Sequence, residues 1–392
     1  MNFVELLHKD DITIEEIKTL FDFVCKLSDG INVPQLREEF GLTSSDEDLW
    51  KWYKSLVWET KSKLTSSFNF CHKAYQLVTI FGLRGEGNVI LRQGTNEHML
   101  MEYIYTELEP EMLISEYKEH KSIIDYLTIK LKDTAVKLIG TADYESAMNS
   151  IDNTEGERDH YIMSIAAIAK WLNKYYKWII KIIGLPNANE YFFPIGLEVE
   201  LYDTEHFRHG LIDAVYKNPN GGYMPVDFKF GKPKRKKDVN GNPTNEPYYY
   251  MKSVRKEITF YKWLAESPTC FEPDELTGEM KEWKPINCPT GEMWYILDYE
   301  HGRLEVSFTT KDNIELLTLE AEYWKRMNTM DYPYDDKLGW RSSRFKKLCN
   351  ARKVDGTYKC DKRPLCNHFD SFKALLDETT KLKEILEIMN DV

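Results

Sequence analysis

Two stretches decide how this chain folds: Gly210-Leu-Ile-Asp-Ala-Val-Tyr216 and Tyr223-Met-Pro-Val-Asp-Phe-Lys-Phe-Gly231. Both are rich in apolar strand formers, and Asn218-Pro-Asn-Gly-Gly222 between them is turn chemistry. Upstream, Leu197-Glu-Val-Glu-Leu-Tyr202 alternates apolar and acidic positions, so the three runs predict a β-meander. Asp213 follows Leu211-Ile212 and precedes Ala214-Val215, while Asp227 sits between Val226 and Phe228. A carboxylate in a buried strand is costly unless paired or metal-bound. If the two runs pair as a hairpin, Asp213 approaches Asp227. Asp227 and Lys229, two apart, then leave the strand on one face. Converging carboxylates repel, and a hard divalent ion such as Mg²⁺ or Mn²⁺ relieves that repulsion better than Zn²⁺. An ammonium beside it completes a kit for phosphodiester hydrolysis, positioning water and stabilising developing charge.

Outward from this core the period changes. A polar loop over 231–247 leads to a helix over 248–266. Strands over 293–299 and 304–309 precede a helix over 313–330. Between 97 and 184 the pattern is helical, most clearly at Ile162, Ile165, Ile168, Leu172, Tyr175 and Ile179, with Gly184 and Pro186 as terminators. Thr13-Ile-Glu-Glu16 and Ser44-Ser-Asp-Glu47 open two N-terminal helices. The expected fold is α/β, a mixed central sheet flanked by helices with helical N-terminal and inserted regions. The expected organisation is an N-terminal helical region over 1–62 and a main domain over 63–392, with a helical insert at 99–190 and a cysteine-containing segment at 340–370.

The 392 residues, 42% hydrophobic and 13% aromatic, suffice for a large core and argue against disorder. A net charge of −12 excludes a wholly basic coat, so any nucleic-acid surface is a local patch on an acidic body. The longest apolar run, 161–169, is too short to span a bilayer, and the N-terminus reads as no signal peptide. Seven cysteines are too few and too odd for a disulfide framework and fit a reducing, cytoplasmic setting. The chain holds no phosphate-cradling loop of the helicase-motor type.

Gly210-Leu-Ile-Asp213 followed by Val226-Asp227-Phe-Lys229 resembles the core of the PD-(D/E)XK nuclease superfamily, in its RecB-like branch. Gly94-Thr-Asn-Glu-His98 resembles that branch's Gly-x-x-x-His element at the start of a helix. The resemblance implies a restriction-endonuclease-like core. It implies His98, Asp213, Asp227 and the Phe228 carbonyl as metal ligands and Asp213, Asp227 and Lys229 as the catalytic set. Glu257-Ile-Thr-Phe-Tyr261 takes the place of a Gln-x-x-x-Tyr element, so Tyr261 is a DNA-contact candidate while Glu257 departs from the pattern. Cys71 upstream with Cys349, Cys360 and Cys366 near the end resembles the iron–sulfur subgroup, where four thiolates hold a [4Fe–4S] cluster. The ten residues between Cys349 and Cys360 depart from the usual two, and Zn²⁺ is the alternative at these thiolates. Cys25, Cys270 and Cys288 read as buried thiols.

Lys232-Pro-Lys234-Arg235-Lys236-Lys237 follows the Asp227 strand and is a candidate for phosphate contacts; a solvated loop is the plainer reading. Tyr248-Tyr-Tyr250, Lys252, Arg255 and Lys256 could add stacking and charge. His206 and His209 read as ordinary turn histidines, and of Glu198 and Glu200, one is in position to approach the metal site. The leading expectation is a Mg²⁺- or Mn²⁺-dependent DNA exonuclease, bacterial or phage-encoded, in DNA recombination and repair. Its partners would be DNA with a free end or single strand, and a helicase or recombination protein. The alternative is a catalytically silent nuclease-fold protein that binds DNA or serves assembly, or a zinc-stabilised variant.

Overall fold

The computed structural model describes residues 3–28, 32–68, 72–83, 89–231, 234–237, 243–274, 276–330 and 332. They divide into two units, one formed by the described residues up to 83 together with those from 317 onward, the other by 89–316.

The first unit is helical. Thr13 caps the helix Ile14–Lys26 with a capping box, its hydroxyl accepting the Glu16 amide while the Glu16 carboxylate accepts the Thr13 amide. Ser45 caps Asp46–Val57 in a similar way. These two helix starts are where the sequence puts them, and Phe3–Leu7 and Val33–Glu39 add two short helices. The indole of Trp52 donates to the Ile80 carbonyl at 2.7 Å, and the Tyr75 hydroxyl donates to that of Tyr323 at 2.9 Å. Burial therefore leaves these polar atoms satisfied.

The second unit is mixed α/β. The elements that frame the site are α1 (Val89–Glu107), α2 (Ile124–Ile139), α3 (Glu157–Ile183), β1 (Gly196–Asp203), β2 (Arg208–Lys217), β3 (Tyr223–Lys229), β4 (Lys234–Lys237), β5 (Pro243–Tyr248), α4 (Met251–Glu266), β6 (Cys270–Pro273), β7 (Met280–Glu282), β8 (Thr290–Tyr295) and β9 (Arg303–Ser307), and shorter helices Pro110–His120, Tyr144–Ser150 and Ala188–Phe192 complete it. The main sheet runs β9-β8-β3-β2-β1-β6-β7. β3 and β8 are parallel, the other neighbours antiparallel, so the sheet is mixed. The three runs that opened the reading form the antiparallel meander β1-β2-β3.

Two details differ from the sequence expectation. The stretch over 231–247 is not all loop: β4 and β5 pair as a separate hairpin. Its lysines and Pro243 mask strand character because they offer no apolar alternation to read. The strand expected over 293–299 ends at Tyr295, and a turn follows in which the Gly302 amide donates to the Asp298 carbonyl at 2.7 Å.

Helices cover both faces of the sheet. On one, Leu100, Ile104, Ile168, Leu172 and Tyr175 of α1 and α3 pack on Ala214, Val226, Phe228 and Trp294. On the other, α4 lies so close that a Cβ on Gly210 would meet Leu264 Cδ1 at 2.5 Å, and one on Gly291 would meet Ile258 Cγ2 at 2.5 Å. Glycine at these positions is required by the helix, not by the strand. Within the first core lies one buried charge pair: Arg303 donates to both oxygens of Glu292, with Nε at 2.7 Å from Oε2, and its guanidinium stacks 3.4 Å above the Trp178 ring. The planar fork satisfies the carboxylate as a lysine could not.

Candidate metal centre

Three acidic residues form a row across the meander. The β1–β2 register pairs Leu197 with Ala214 and Val199 with Ile212, which sets Glu198 opposite Asp213. The β2–β3 ladder ends at Ala214–Val226, and just beyond it the Phe228 amide bonded to Asp213 Oδ2 at 2.6 Å brings Asp213 beside Asp227. Opposed residues on neighbouring strands lie close enough for their side chains to interact. Both Asp residues are buried, Asp213 at 8% and Asp227 at 1% exposure. The backbone at Glu198 is left-handed, with φ +46°, in the middle of a strand. A non-glycine residue there is strained by about 1–3 kcal/mol, and such strain concentrates at functional sites.

From α1, His98 reaches this row. Its Nδ1 is 3.6 Å from Asp213 Oδ2 and 4.0 Å from Glu198 Oε1. The imidazole meets Phe230 edge-on at 5.4 Å, which limits its rotation. One ligand atom each from His98, Glu198 and Asp213 lies within 4.8 Å of the others, the grouping with metal-holding geometry among the described residues. The amide of Phe228 donates to Asp213 Oδ2 at 2.6 Å and so aims that carboxylate. The helix carrying His98 begins at Val89 rather than at Gly94, so the Gly94–His98 element lies inside α1.

The second half of the site sits beside this cluster. Lys229 Nζ is 2.5 Å from Asp227 Oδ2 and 3.4 Å from Glu257 Oε2. From α4, the hydroxyl of buried Tyr261 donates to Asp227 Oδ1 at 3.2 Å. Burial, reinforced by Asp227 and Asp213, pushes the Tyr261 phenol well above its ordinary range, so it stays a proton donor. Both oxygens of Asp227 are thus engaged by Lys229 and Tyr261.

The expected residues His98, Asp213, Asp227, Phe228, Lys229 and Tyr261 all lie in this region. Glu198 joins His98 and Asp213, Asp227 faces the ammonium, and Tyr261 is buried against Asp227. Of Glu198 and Glu200, between which the sequence left the choice open, it is Glu198 that approaches, because the meander's register sets it opposite Asp213. Glu257 was visible only as a departure from a pattern, because its contact with Lys229 joins residues distant in sequence.

The donor set of one imidazole and two carboxylates suits Mn²⁺ or Mg²⁺, with the nitrogen tilting it toward Mn²⁺. Next to His98, Glu97 is 1% exposed and ties α1 to α3, accepting a hydrogen bond from the Ser164 hydroxyl and pairing with His160 Nε2 at 2.8 Å. Burial pushes its carboxyl up to about 7, against the pull of the Ser164 hydrogen bond.

Other candidates are placed as follows. Lys236 is exposed on β4; Lys234, Arg235 and Lys237 belong to the same strand, and Lys232 lies outside the described residues. Lys252 and Arg255 pair with Glu315 and Asp312 at the surface, and Lys256 is buried. His206 bonds Asp203 and His209 bonds Glu200, in keeping with structural histidines. Cys71, Cys349, Cys360 and Cys366 lie outside the described residues. Cys25, Cys270 and Cys288 are free thiols, pushed by burial up to about 11, 12 and 12. No helix among the described residues is long and apolar enough to cross a membrane.

No family model matches this sequence, and no curated protein does. The chemistry of the site therefore rests on its own residues.

Proposed function

We propose that this protein is a divalent-metal-dependent deoxyribonuclease, an exonuclease in its leading form, with His98, Glu198 and Asp213 as the residues that would hold Mg²⁺ or Mn²⁺. The observation that carries the reading is the convergence of two carboxylates and an imidazole within 4.8 Å. Beside them stand an aspartate and an ammonium on the next strand. A cation bound by these groups supplies Lewis acidity and a water of lowered pKa. The chain's own residues do the rest. Phe228 and His98 hold Asp213 in place. Tyr261 restrains Asp227 from the α4 side. Lys229 offers fixed positive charge where a phosphate gains negative charge in hydrolysis. Lys236 and its neighbours on β4 fit nonspecific contacts to a DNA backbone.

The proposal includes the four thiols Cys71, Cys349, Cys360 and Cys366 as a structural [4Fe–4S] or Zn²⁺ site, supported by their one-plus-three arrangement in sequence. Protein purified without oxygen should carry about four irons if the cluster is a cubane. Stoichiometric zinc in a colourless sample selects the other site. A cytoplasmic setting and a helicase or recombination partner belong to the same reading.

The test is direct. Wild-type protein with Mn²⁺ should degrade end-labelled single- or double-stranded DNA, EDTA should stop it, and Asp213→Asn should remove it. No cleavage of either substrate with either cation overturns the reading. One observation favours a catalytically silent DNA-binding protein: Lys229 and Tyr261 engage both oxygens of Asp227. DNA retardation without cleavage would select it.

A further inference from the structure

The ammonium of Lys229 stands between two carboxylates of different kinds. Asp227 belongs to the acidic row, with Asp213 and Glu198 on the strands beside it. Glu257 belongs to α4 and is held from its own helix, where the Ser253 hydroxyl donates to Glu257 Oε1 at 3.0 Å. Its other oxygen, Oε2, faces Lys229 Nζ at 3.4 Å. Ser253 and Glu257 are one helical turn apart, so their hydrogen bond fixes the glutamate rotamer without help from the sheet. Asp227 lies one residue position across the sheet from Asp213, and any cation drawn to the row competes with the ammonium for its oxygens. Glu257 is outside that competition, since it belongs to α4 rather than to the row and has one oxygen bonded by its own helix.

From this arrangement we propose that Glu257 is a positioning residue that anchors the Lys229 ammonium at the site independently of Asp227. The inference rests on the hydrolytic reading for its consequence in turnover, but the anchoring itself does not. A neutral amide at 257 would keep one acceptor oxygen for Lys229, turn its NH2 to the Ser253 hydroxyl and lose the charge attraction. An alanine would lose both. Lysine carries long, flexible rotamers, and an ammonium with one carboxylate partner samples more of them than one held between two.

The test uses the full chain with ¹³C-labelled lysine and follows the Lys229 methylene resonance by NMR, assigned by its loss in Lys229→Arg. The resonance should move in Glu257→Ala and, by less, in Glu257→Gln. It should stay in place in Glu315→Gln, whose carboxylate pairs with Lys252 on the same helix. The same variants are assayed on end-labelled DNA with Mn²⁺. Glu257→Ala should lower kcat by about 100-fold, the scale of a displaced catalytic group, with KM for DNA unchanged. Glu257→Gln should fall between it and the wild type. An unmoved Lys229 resonance in a folded Glu257→Ala overturns the anchoring, whatever the activity. A moved resonance with a KM effect and an unchanged kcat overturns the positioning role in turnover, because Glu257 would then serve DNA binding alone. If wild-type protein cleaves no DNA, the hydrolytic reading fails by itself, and the resonance still decides the anchoring.

Discussion

Replacing Asp213 by asparagine should make the metal-free protein more stable and at the same time make it blind to Mn²⁺. Ligand oxygens of Glu198 and Asp213 lie within 4.8 Å of each other. At an effective dielectric near 20, two unit charges at that distance repel by about 3 kcal/mol. Partial exposure of the Glu198 side chain, 28%, admits screening and leaves about 1–2 kcal/mol. Asparagine keeps an oxygen to accept the Phe228 amide and removes the charge. For a unit of this size each kcal/mol moves Tm by about 2–4 °C, so Asp213→Asn should melt about 2–8 °C above the wild type in EDTA. Mn²⁺ at a hundredfold excess over its Kd should stabilise the wild type by about 2.7 kcal/mol, or about 5–10 °C, and leave the variant unmoved. Differential scanning calorimetry in EDTA and in Mn²⁺ reads both. If Asp213→Asn melts below the wild type in EDTA, or responds equally to Mn²⁺, the account of a repelling cluster relieved by a cation is refuted.

Three more outcomes follow from the same geometry. Lys229→Ala should remove DNA cleavage yet keep the full upward step in Tm on adding Mn²⁺, since Lys229 supplies no ligand; loss of that step would show the ammonium to be part of the binding set. The Glu97 carboxyl, raised from 4.5 to about 7 by burial, contributes stability that is complete below pH 4.5 and lost as pH rises through 7. Glu97→Gln should therefore melt with the wild type at pH 4.5 and above it at pH 8, by up to about 3 kcal/mol in chemical denaturation, and equal stability at pH 8 would contradict it. Cys270 and Cys288, whose thiols burial pushes up to about 12, should resist iodoacetamide at pH 8 and react once guanidinium unfolds the chain, as mapped by mass spectrometry.

The parts of this protein legible in its sequence are those governed by local chemistry. The caps at Thr13 and Ser45, the terminating Gly184 and the meander 196–229 each follow from neighbouring residues. The proximity of Asp213 and Asp227 followed too, because a hairpin turn sets its own register. What stayed hidden depends on packing between distant elements. The contacts of Tyr261 with Asp227 and of Glu257 with Lys229 are imposed by α4, which docks on the sheet against Gly210 and Gly291. The β4–β5 hairpin escaped notice because its residues have the composition of a polar loop.

The left-handed backbone at Glu198 has a consequence for how this chain can change over generations. Glycine would sit there with less strain than any other residue, and it would delete the carboxylate in the same step. Backbone comfort and charge placement pull in opposite directions at that single codon. A descendant released from whatever task the acidic row performs is thus free to drift to glycine or asparagine at 198, while one still bound to it must keep an uncomfortable acid.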